Sequence, residues 1–213
     1  MIKAIILDSD NTLIDFSRIA ALCIQKTASR IGLRVPNIEK INKLWGRSIE
    51  FIIETLWGKS YIKKFRKEYL KIVLKYKFKE IKGAKKTIEK LRKKYEIAII
   101  SAKPKPLMSK NFKDTKINTK IFKFMLSGDD TKFHKPDPRV FNGALKKLKV
   151  NKNEVLYVGD ALVDYMAAKK TGFNFVAVLT GNYKRKDFLK FGLKKENILK
   201  SVRELPNWTD KNG

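Results

Sequence analysis

Five short, largely apolar runs recur along the chain, and segments with helical spacing lie between most of them. The runs cover residues 2–7, 97–100, 122–126, 155–158 and 175–178. Apolar runs of this length are typical of strands buried on both faces, and such strands form parallel sheets whose crossover connections are helices. The sequence therefore predicts an α/β fold in which helices cover both faces of a parallel sheet.

The segment between the first and second apolar runs has helical spacing and no strand alternation. We predict helices over residues 19–28, 38–44, 49–56 and 61–76, followed by a further helix over 83–94. An all-helical segment of about sixty residues is far longer than an ordinary connection between strands. The sequence therefore predicts a helical insertion after the first strand.

The chain is strongly basic, with 49 Lys and Arg against 21 Asp and Glu, for a formal net charge of +28. Such a charge attracts polyanions and phosphorylated solutes. The basic segments 59–82 and 184–195 are the surfaces that a nucleic-acid-binding protein would use. Because lysines are spread along the whole chain, and no stacking-aromatic motif accompanies the basic segments, we favour solvated helix faces over a nucleic-acid partner.

Cysteine content and apolar runs restrict the compartment. Cys23 is the single cysteine, so no internal disulfide forms, and its helical pattern predicts a small core residue. We see no signal-peptide pattern and no apolar run long enough to span a bilayer. We expect a cytoplasmic protein without a membrane partner.

Polar side chains stand where several predicted strands end. Asp8 and Asp10 follow the first strand, Ser101 the second and Asp160 the fourth. Parallel sheets bind ligands at the carboxyl ends of their strands. Acids beside a buried strand are costly unless a cation compensates them, and hard divalent cations prefer carboxylate oxygens. An acidic turn that only caps the next helix is the alternative for Asp8 and Asp10 alone.

Four motifs follow one another in a telling order. They are Asp-Ser-Asp-Asn-Thr-Leu at 8–13, Ser101, Lys-Pro-Asp-Pro at 135–138, and Gly-Asp-Ala-Leu-Val-Asp at 159–164. Over nearly the whole chain, this order resembles the haloacid dehalogenase-like hydrolase superfamily, in particular its phosphoglycolate-phosphatase-like phosphatases with a helical cap. The resemblance implies a Rossmann-like catalytic core formed by residues 1–14 and 83–213, and a mobile cap formed by 15–82.

The resemblance also implies a role for each acid. Asp8 would be the nucleophile that forms an aspartyl-phosphate, and Asp10 would be the general acid and base. Asp8 and Asp160 would bind Mg²⁺ with their side chains, and Asp10 with its backbone carbonyl. Asp164, one helical turn beyond Asp160, would reach the ion directly or through water. Mg²⁺ would neutralise the phosphoryl charge that otherwise repels an anionic nucleophile.

The same resemblance gives roles to three side chains outside the acidic motifs. Ser101 would donate a hydrogen bond to the substrate phosphoryl group. Lys135 would bring a fixed positive charge to Asp8 and to that group. Arg47 follows Gly46 in the predicted cap and is placed to contact the far end of the substrate, although a surface arginine at a helix start fits the sequence equally well.

Three positions depart from the family pattern. Ser9 replaces a bulky apolar residue between the two acids, and Asn11 stands where Gly is commonest. Asn tolerates the unusual backbone angles of such a turn. Ala102 stands where Asn frequently follows the serine, so one phosphate contact is missing.

Four other polar residues near the motifs receive no catalytic role. We interpret His134 as a loop residue and expect Asp129 and Asp130 to be structural. We expect Asp15 to cap the first helix of the insertion.

Together these features predict an enzyme, a Mg²⁺-dependent phosphatase that acts on a small phosphomonoester metabolite. A dehalogenase is less consistent with the sequence, because it attacks carbon and needs no leaving-group acid at Asp10. A hexose-phosphate mutase of the same superfamily stays open, since it uses the same pair of acids. A non-catalytic nucleic-acid-binding protein on this fold is the third alternative.

Overall fold

The computed structural model describes all 213 residues, and its strands and helices alternate along most of the chain. The strands are β1 (Ala4–Leu7), β2 (Ile14–Asp15), β3 (Lys79–Glu80), β4 (Glu96–Ile100), β5 (Met125–Leu126), β6 (Val155–Gly159), β7 (Asn174–Val178) and β8 (Ile198–Leu199). The helices are α1 (Ser17–Arg30), α2 (Ile38–Asn42), α3 (Ile49–Trp57), α4 (Ile62–Val73), α5 (Ala84–Leu91), α6 (Lys105–Thr115), α7 (Ala144–Leu148), α8 (Leu162–Thr171), α9 (Arg185–Lys190) and α10 (Leu205–Asn212). Short 3₁₀ turns lie at Lys59–Tyr61, Thr119–Ile121, Gly128–Asp130, Pro138–Phe141, Lys152–Glu154, Lys195–Asn197 and Val202–Glu204.

Six strands form one parallel sheet in the order β5-β4-β1-β6-β7-β8. β1 occupies a central position, and Leu7 at its end lies opposite Ile99 of β4 and Val158 of β6. The predicted α/β fold class with a Rossmann-like parallel sheet is confirmed. Because the strands are parallel, the residues that follow β1, β4 and β6 lie at one edge of the sheet.

Side chains of the central strand alternate between two apolar clusters, one on each face of the sheet. Ile5 and Leu7 belong to a cluster that also contains core residues of α1, α3 and α4, whereas Ala4 and Ile6 join the cluster under α8. All four residues are buried. Burying an Ile or Leu side chain contributes about 1.5–3 kcal/mol, so this doubly covered strand is a stable base for the residues that follow it.

We use the name helical insert for α1 to α4, residues 17–73. In α4, Phe65, Tyr69 and Val73 recur every fourth residue and are buried, which gives the helix one apolar stripe. At α3, the Ser48 hydroxyl accepts a hydrogen bond of 3.2 Å from the Phe51 N–H and caps the helix. Cys23 is buried in α1 and forms no disulfide, as predicted.

Several predicted elements have different extents in the structure. Regular pairing in the third apolar run is limited to Met125 and Leu126, and the helices predicted over 38–44 and 61–76 end at Asn42 and Val73. Strand β8 and the antiparallel pair β2–β3 at the two ends of the helical insert were not predicted. Each of these three strands has only two residues, which is too short to show strand periodicity.

The predicted cap of α1 by Asp15 is wrong. Asp15 is exposed in β2, and a different side chain accepts the hydrogen bonds from the backbone N–H groups at the start of α1. The side-chain oxygen of Asn11 accepts hydrogen bonds from the N–H groups of Phe16 and Ser17, at 3.4 and 3.0 Å. The chain folds back between residues 11 and 16, which brings the more distant side chain to the helix start.

Three contacts close to the strand ends join the helical insert to the rest of the molecule. Gly46 has a φ of 88°, and a Cβ there would lie 2.7 Å from the side chains of Ala161 and Val163, so only glycine fits this approach. The Asn182 amide donates to Asn42 of α2 at 3.2 Å. Arg66 of α4 pairs with Asp129 at 2.5 Å. No helix combines the length and the apolar character needed to cross a bilayer.

Candidate active site

Three carboxylates meet at the edge of the sheet where β1 and β6 end. Asp8 follows β1, Asp160 follows β6, and Asp164 lies in the first turn of α8. One oxygen from each carboxylate lies within 4.8 Å of the other two, and all three residues are buried. The parallel register of β1 and β6 therefore converges residues that are about 150 positions apart in the chain.

Lys135 places its ammonium group among these acids. Its Nζ lies 2.7 Å from Asp8 Oδ1, 2.6 Å from Asp164 Oδ1 and 3.0 Å from the Tyr157 hydroxyl. The lysine side chain is 2% exposed and the Lys135–Pro136 peptide bond is cis. Charge-assisted hydrogen bonds to two carboxylates fix the position of the ammonium group, and they also fix the orientation of the Asp8 carboxylate.

Burial and mutual repulsion disfavour ionisation of Asp8 and Asp160. Burial, together with the charges of Asp164 and Asp10, raises the pKa of Asp8 to about 7 against the opposing effect of Lys135. Burial and the charges of Asp164 and Asp8 raise the pKa of Asp160 well above its usual range. Burial lowers the pKa of Lys135, but the two carboxylates outweigh it and hold that pKa well above normal. The acids of this cluster therefore have too little positive charge around them to offset their burial and mutual repulsion.

Asp10 has a different partner, which the sequence did not reveal. Its carboxylate forms an ion pair with Lys103, whose side chain is completely buried and whose Nζ lies 3.6 Å from the centre of the Phe16 ring. Burial lowers the pKa of Lys103 and raises that of Asp10, and the pair opposes both shifts. Among 49 basic residues nothing marks Lys103 as buried; its position two residues after Ser101 was the only signal.

The formal charges of the site favour an added cation. Four carboxylates, of Asp8, Asp10, Asp160 and Asp164, face the two ammonium groups of Lys103 and Lys135. When all are ionised, two negative charges remain without a counter-charge. The donor set of Asp8, Asp160 and Asp164 consists of hard oxygens, which suits a divalent cation such as Mg²⁺.

Two neighbours hold Asp160 in place. The side-chain amide of Asn11 donates a hydrogen bond of 3.1 Å to Asp160 Oδ2, and Asn11 adopts a φ of 53° that Asn tolerates. Gly181 lies directly over the carboxylate, and a Cβ at that position would collide with Asp160. Asn11, where glycine is usual in the family pattern, therefore supplies a contact to the acidic cluster.

A chamber lies between the strand ends and the helical insert. Asp8, Asp10, Ser101 and Asp160 line it on the side of the sheet. The opposite side is mainly apolar and contains Ile24, Trp45, Ile49, Ile52 and Tyr69 from the insert. An apolar wall facing a few convergent polar groups is typical of small-molecule sites.

The remaining predicted residues lie at the edge of this chamber or outside it. Arg47 lines the chamber and also an outer polar cleft with His134, and its guanidinium stacks 4.6 Å from the Phe51 ring. His134 lies in a loop. Asp130 accepts a hydrogen bond of 2.9 Å from the Ser127 N–H and closes a turn, and Asp129 accepts from the Lys105 N–H at the same distance.

Comparison with known proteins agrees with this arrangement. The family model of haloacid dehalogenase-like hydrolases matches residues 5–178. A phosphoglycolate phosphatase from Aquifex aeolicus is 29% identical over 189 residues, which cover 85% of this chain and 87% of the relative. The solved structure of a haloacid dehalogenase-like hydrolase from Bacteroides fragilis has a TM-score of 0.86 at 26% identity, covering 96% of this chain and 100% of that chain.

A third comparison shows how widely the fold is shared. A structure from Thermotoga maritima described as a β-phosphoglucomutase has a TM-score of 0.72 at 22% identity, covering 99% of each chain.

The chain belongs to the haloacid dehalogenase-like hydrolase family. It is a hydrolase of the phosphoric monoester class, as expected from the sequence. The similarity to the phosphoglycolate phosphatase extends over most of both chains.

Proposed function

We propose that this protein is a Mg²⁺-dependent phosphatase that hydrolyses a small phosphomonoester through an aspartyl-phosphate at Asp8. The observation that carries the proposal is the position of the Asp8 carboxylate. It lies at the chamber wall, within a hydrogen bond of Lys135 and within the trio of buried acids. A carboxylate that is buried, oriented and adjacent to a fixed positive charge is suited to attack phosphorus.

The first step forms the phosphoenzyme. An Asp8 oxygen attacks phosphorus, the bond from phosphorus to the leaving oxygen breaks, and Asp10 gives that oxygen a proton. Asp10 is placed for this role because it lines the chamber two residues after Asp8 and its carboxylate is partly exposed to that space. A positioned general acid contributes about 10²–10⁴ in rate.

The second step releases phosphate. Asp10, now ionised, takes a proton from a water molecule that attacks the phosphorus of phospho-Asp8. The bond between phosphorus and the Asp8 oxygen breaks, so inorganic phosphate leaves and the Asp8 carboxylate is restored. Lys135 keeps the carboxylate oriented throughout. Ser101 lines the chamber, and its hydroxyl would donate to a phosphoryl oxygen.

The buried acids define where a metal ion would be held. Asp8, Asp160 and Asp164 would supply carboxylate oxygens, and the Asp10 backbone carbonyl would be a further ligand. Mg²⁺ bound there supplies positive charge that offsets the charge of the phosphoryl group and of the acids. The two uncompensated negative charges of the site match the charge of one such ion.

The helical insert would act as the cap of the enzyme. Residues 15–82 would form this domain, and residues 1–14 and 83–213 the catalytic core. The insert supplies most of the apolar chamber wall, and its contacts at Gly46 and Arg66 lie beside the strand ends. Movement of the insert would admit substrate and exclude water between steps.

Hydrolysis of p-nitrophenyl phosphate tests the proposal. We expect phosphate release in Mg²⁺ buffer, loss of activity when EDTA removes the metal, and no activity for Asp8→Asn. Asp15→Asn is the matched control, because Asp15 is an exposed acid outside the chamber. Appreciable activity of a folded Asp8→Asn variant would show that the nucleophile is assigned wrongly.

The hexose-phosphate mutase is the second candidate, supported by the shared pair of acids Asp8 and Asp10. Phosphorylated hexoses distinguish the two activities, because a phosphatase releases inorganic phosphate and a mutase yields an isomer. A nucleic-acid-binding role predicts salt-dependent DNA or RNA binding that survives Asp8→Asn, with no phosphatase activity in the parent.

A further inference from the structure

Tyr69 is a polar residue on the mainly apolar side of the chamber. It lies on α4, is 3% exposed and lines the chamber. Its hydroxyl group forms no hydrogen bond with any other residue. Buried tyrosine hydroxyls normally have a partner, because an unpaired hydroxyl in an apolar environment costs free energy.

The other tyrosine at the site shows the usual arrangement. The hydroxyl of Tyr157 donates to Asp164 at 3.0 Å and accepts from Lys135 at 3.0 Å. The Tyr69 hydroxyl has no such hydrogen-bond partner. Its oxygen is nevertheless not fully enclosed by protein, so it reaches open space. Since Tyr69 is otherwise buried and lines the chamber, the open space that this oxygen reaches is the chamber itself.

The two cationic side chains that line the chamber already have partners within the protein. Lys103 is paired with Asp10 and covered by the Phe16 ring. Arg47 stacks on Phe51 and lines both the chamber and the outer cleft, so it lies where the two spaces meet. The inner wall contributed by the helical insert is otherwise apolar, from Ile24, Trp45, Ile49 and Ile52.

We propose that the Tyr69 hydroxyl is the specificity-determining contact for the leaving group. The substrate would be the phosphate ester of a short alcohol with an apolar body and one hydroxyl or carbonyl group that pairs with Tyr69. A hexose would bring several hydroxyls against apolar side chains and leave most of them unpaired, which disfavours it strongly. The inference rests on the proposed phosphatase activity and narrows its substrate class.

Matched pairs of substrates test this contact in wild type and Tyr69→Phe. Hydroxyethyl, hydroxypropyl and hydroxybutyl phosphate are each compared with ethyl, propyl and butyl phosphate, with kcat and KM determined separately. For the best chain length, we expect the ratio of kcat/KM for the hydroxylated over the plain ester to fall about 3- to 10-fold in Tyr69→Phe. Tyr61→Phe, an exposed tyrosine of the insert that does not line the chamber, should keep the wild-type ratio.

Three outcomes would count against the proposal, and they are distinguishable. Equal losses for both members of every pair would give Tyr69 a purely structural role and overturn it. A hexose phosphate hydrolysed faster than the best hydroxyalkyl phosphate would overturn the substrate class. No hydrolysis of any ester, p-nitrophenyl phosphate included, would overturn the proposed function itself and this inference with it.

Discussion

The side chain of Asn11 joins Asp160 to the start of the helical insert. Its amide donates to Asp160 Oδ2 at 3.1 Å, and its carbonyl oxygen accepts from the Ser17 N–H at 3.0 Å. One residue therefore contacts an acid of the proposed metal site and the first turn of α1. This double contact depends on the left-handed backbone of Asn11, with φ of 53°.

Replacing Asn11 should weaken metal binding. Asn11→Gly keeps the backbone conformation accessible and removes both side-chain contacts, so Asp160 loses the group that orients it. Loss of such an outer contact costs about 10- to 100-fold in metal affinity, and we expect a decrease in this range when Mg²⁺ binding is measured by isothermal titration calorimetry. Asn37→Gly removes a helix-capping Asn from the exposed end of α2 and should leave the affinity unchanged. Equal affinities of wild type and Asn11→Gly would contradict this role.

Lys103 should be important for stability through its pairing with Asp10. Lys103→Met removes the only counter-charge in contact with Asp10 and is expected to lower the free energy of unfolding by about 3–5 kcal/mol, as for other broken buried pairs. Asp10→Asn in the same chain should restore part of the loss, because no unpaired carboxylate then remains. Urea denaturation of the two single variants and the double variant gives the coupling between them. Additive effects would show that the two side chains do not interact.

The raised pKa of Asp8 predicts how stability depends on pH in the metal-free protein. Between the ordinary value of 3.8 and about 7, the folded protein holds a proton on Asp8 that the unfolded chain has lost. Folded stability from this group is therefore present at low pH and is lost as pH rises through that window.

Asp8→Asn isolates this effect, since asparagine does not titrate there. In EDTA, the stability of wild type relative to Asp8→Asn should fall between pH 4.5 and 7.5 by an amount on the order of a few kcal/mol, at 1.36 kcal/mol per pKa unit. Adding Mg²⁺ should raise the free energy of unfolding of the wild type more than that of the Asp8→Asn variant. A difference that is constant with pH, measured by urea denaturation, would contradict the raised pKa.

The central strands could be predicted from sequence because their side chains are apolar without interruption. β1 and β6 are buried on both faces, and the acids at their ends stand out against this background. The positions of Asp8 and Asp160 follow from the parallel register, and that of Asp164 from the helix that begins just after β6. Short elements were missed, because β2, β3 and β8 have two residues each and are fixed by tertiary contacts.

The partners within the site could not be predicted in the same way. Lys103 is one lysine among many, and only the folded chain shows that it is enclosed by Asp10 and Phe16. Tyr69 fits the apolar stripe of α4 by its spacing, so the sequence indicates a core residue and hides a free hydroxyl. Burial and pairing of a polar side chain depend on distant segments, and periodicity does not report them.

The most direct test of the account is to trap the phosphoenzyme. Asp10→Asn should still be phosphorylated by p-nitrophenyl phosphate, whose leaving group needs little protonation, but it lacks the base that activates water. We predict that mass spectrometry after rapid acid quench finds one phosphoryl group on the peptide that contains Asp8, and that Asp8→Asn/Asp10→Asn shows none. Two results would contradict the account in a protein whose wild type hydrolyses the ester. The Asp10→Asn variant would carry no phosphoryl group, or it would carry that group on a residue other than Asp8.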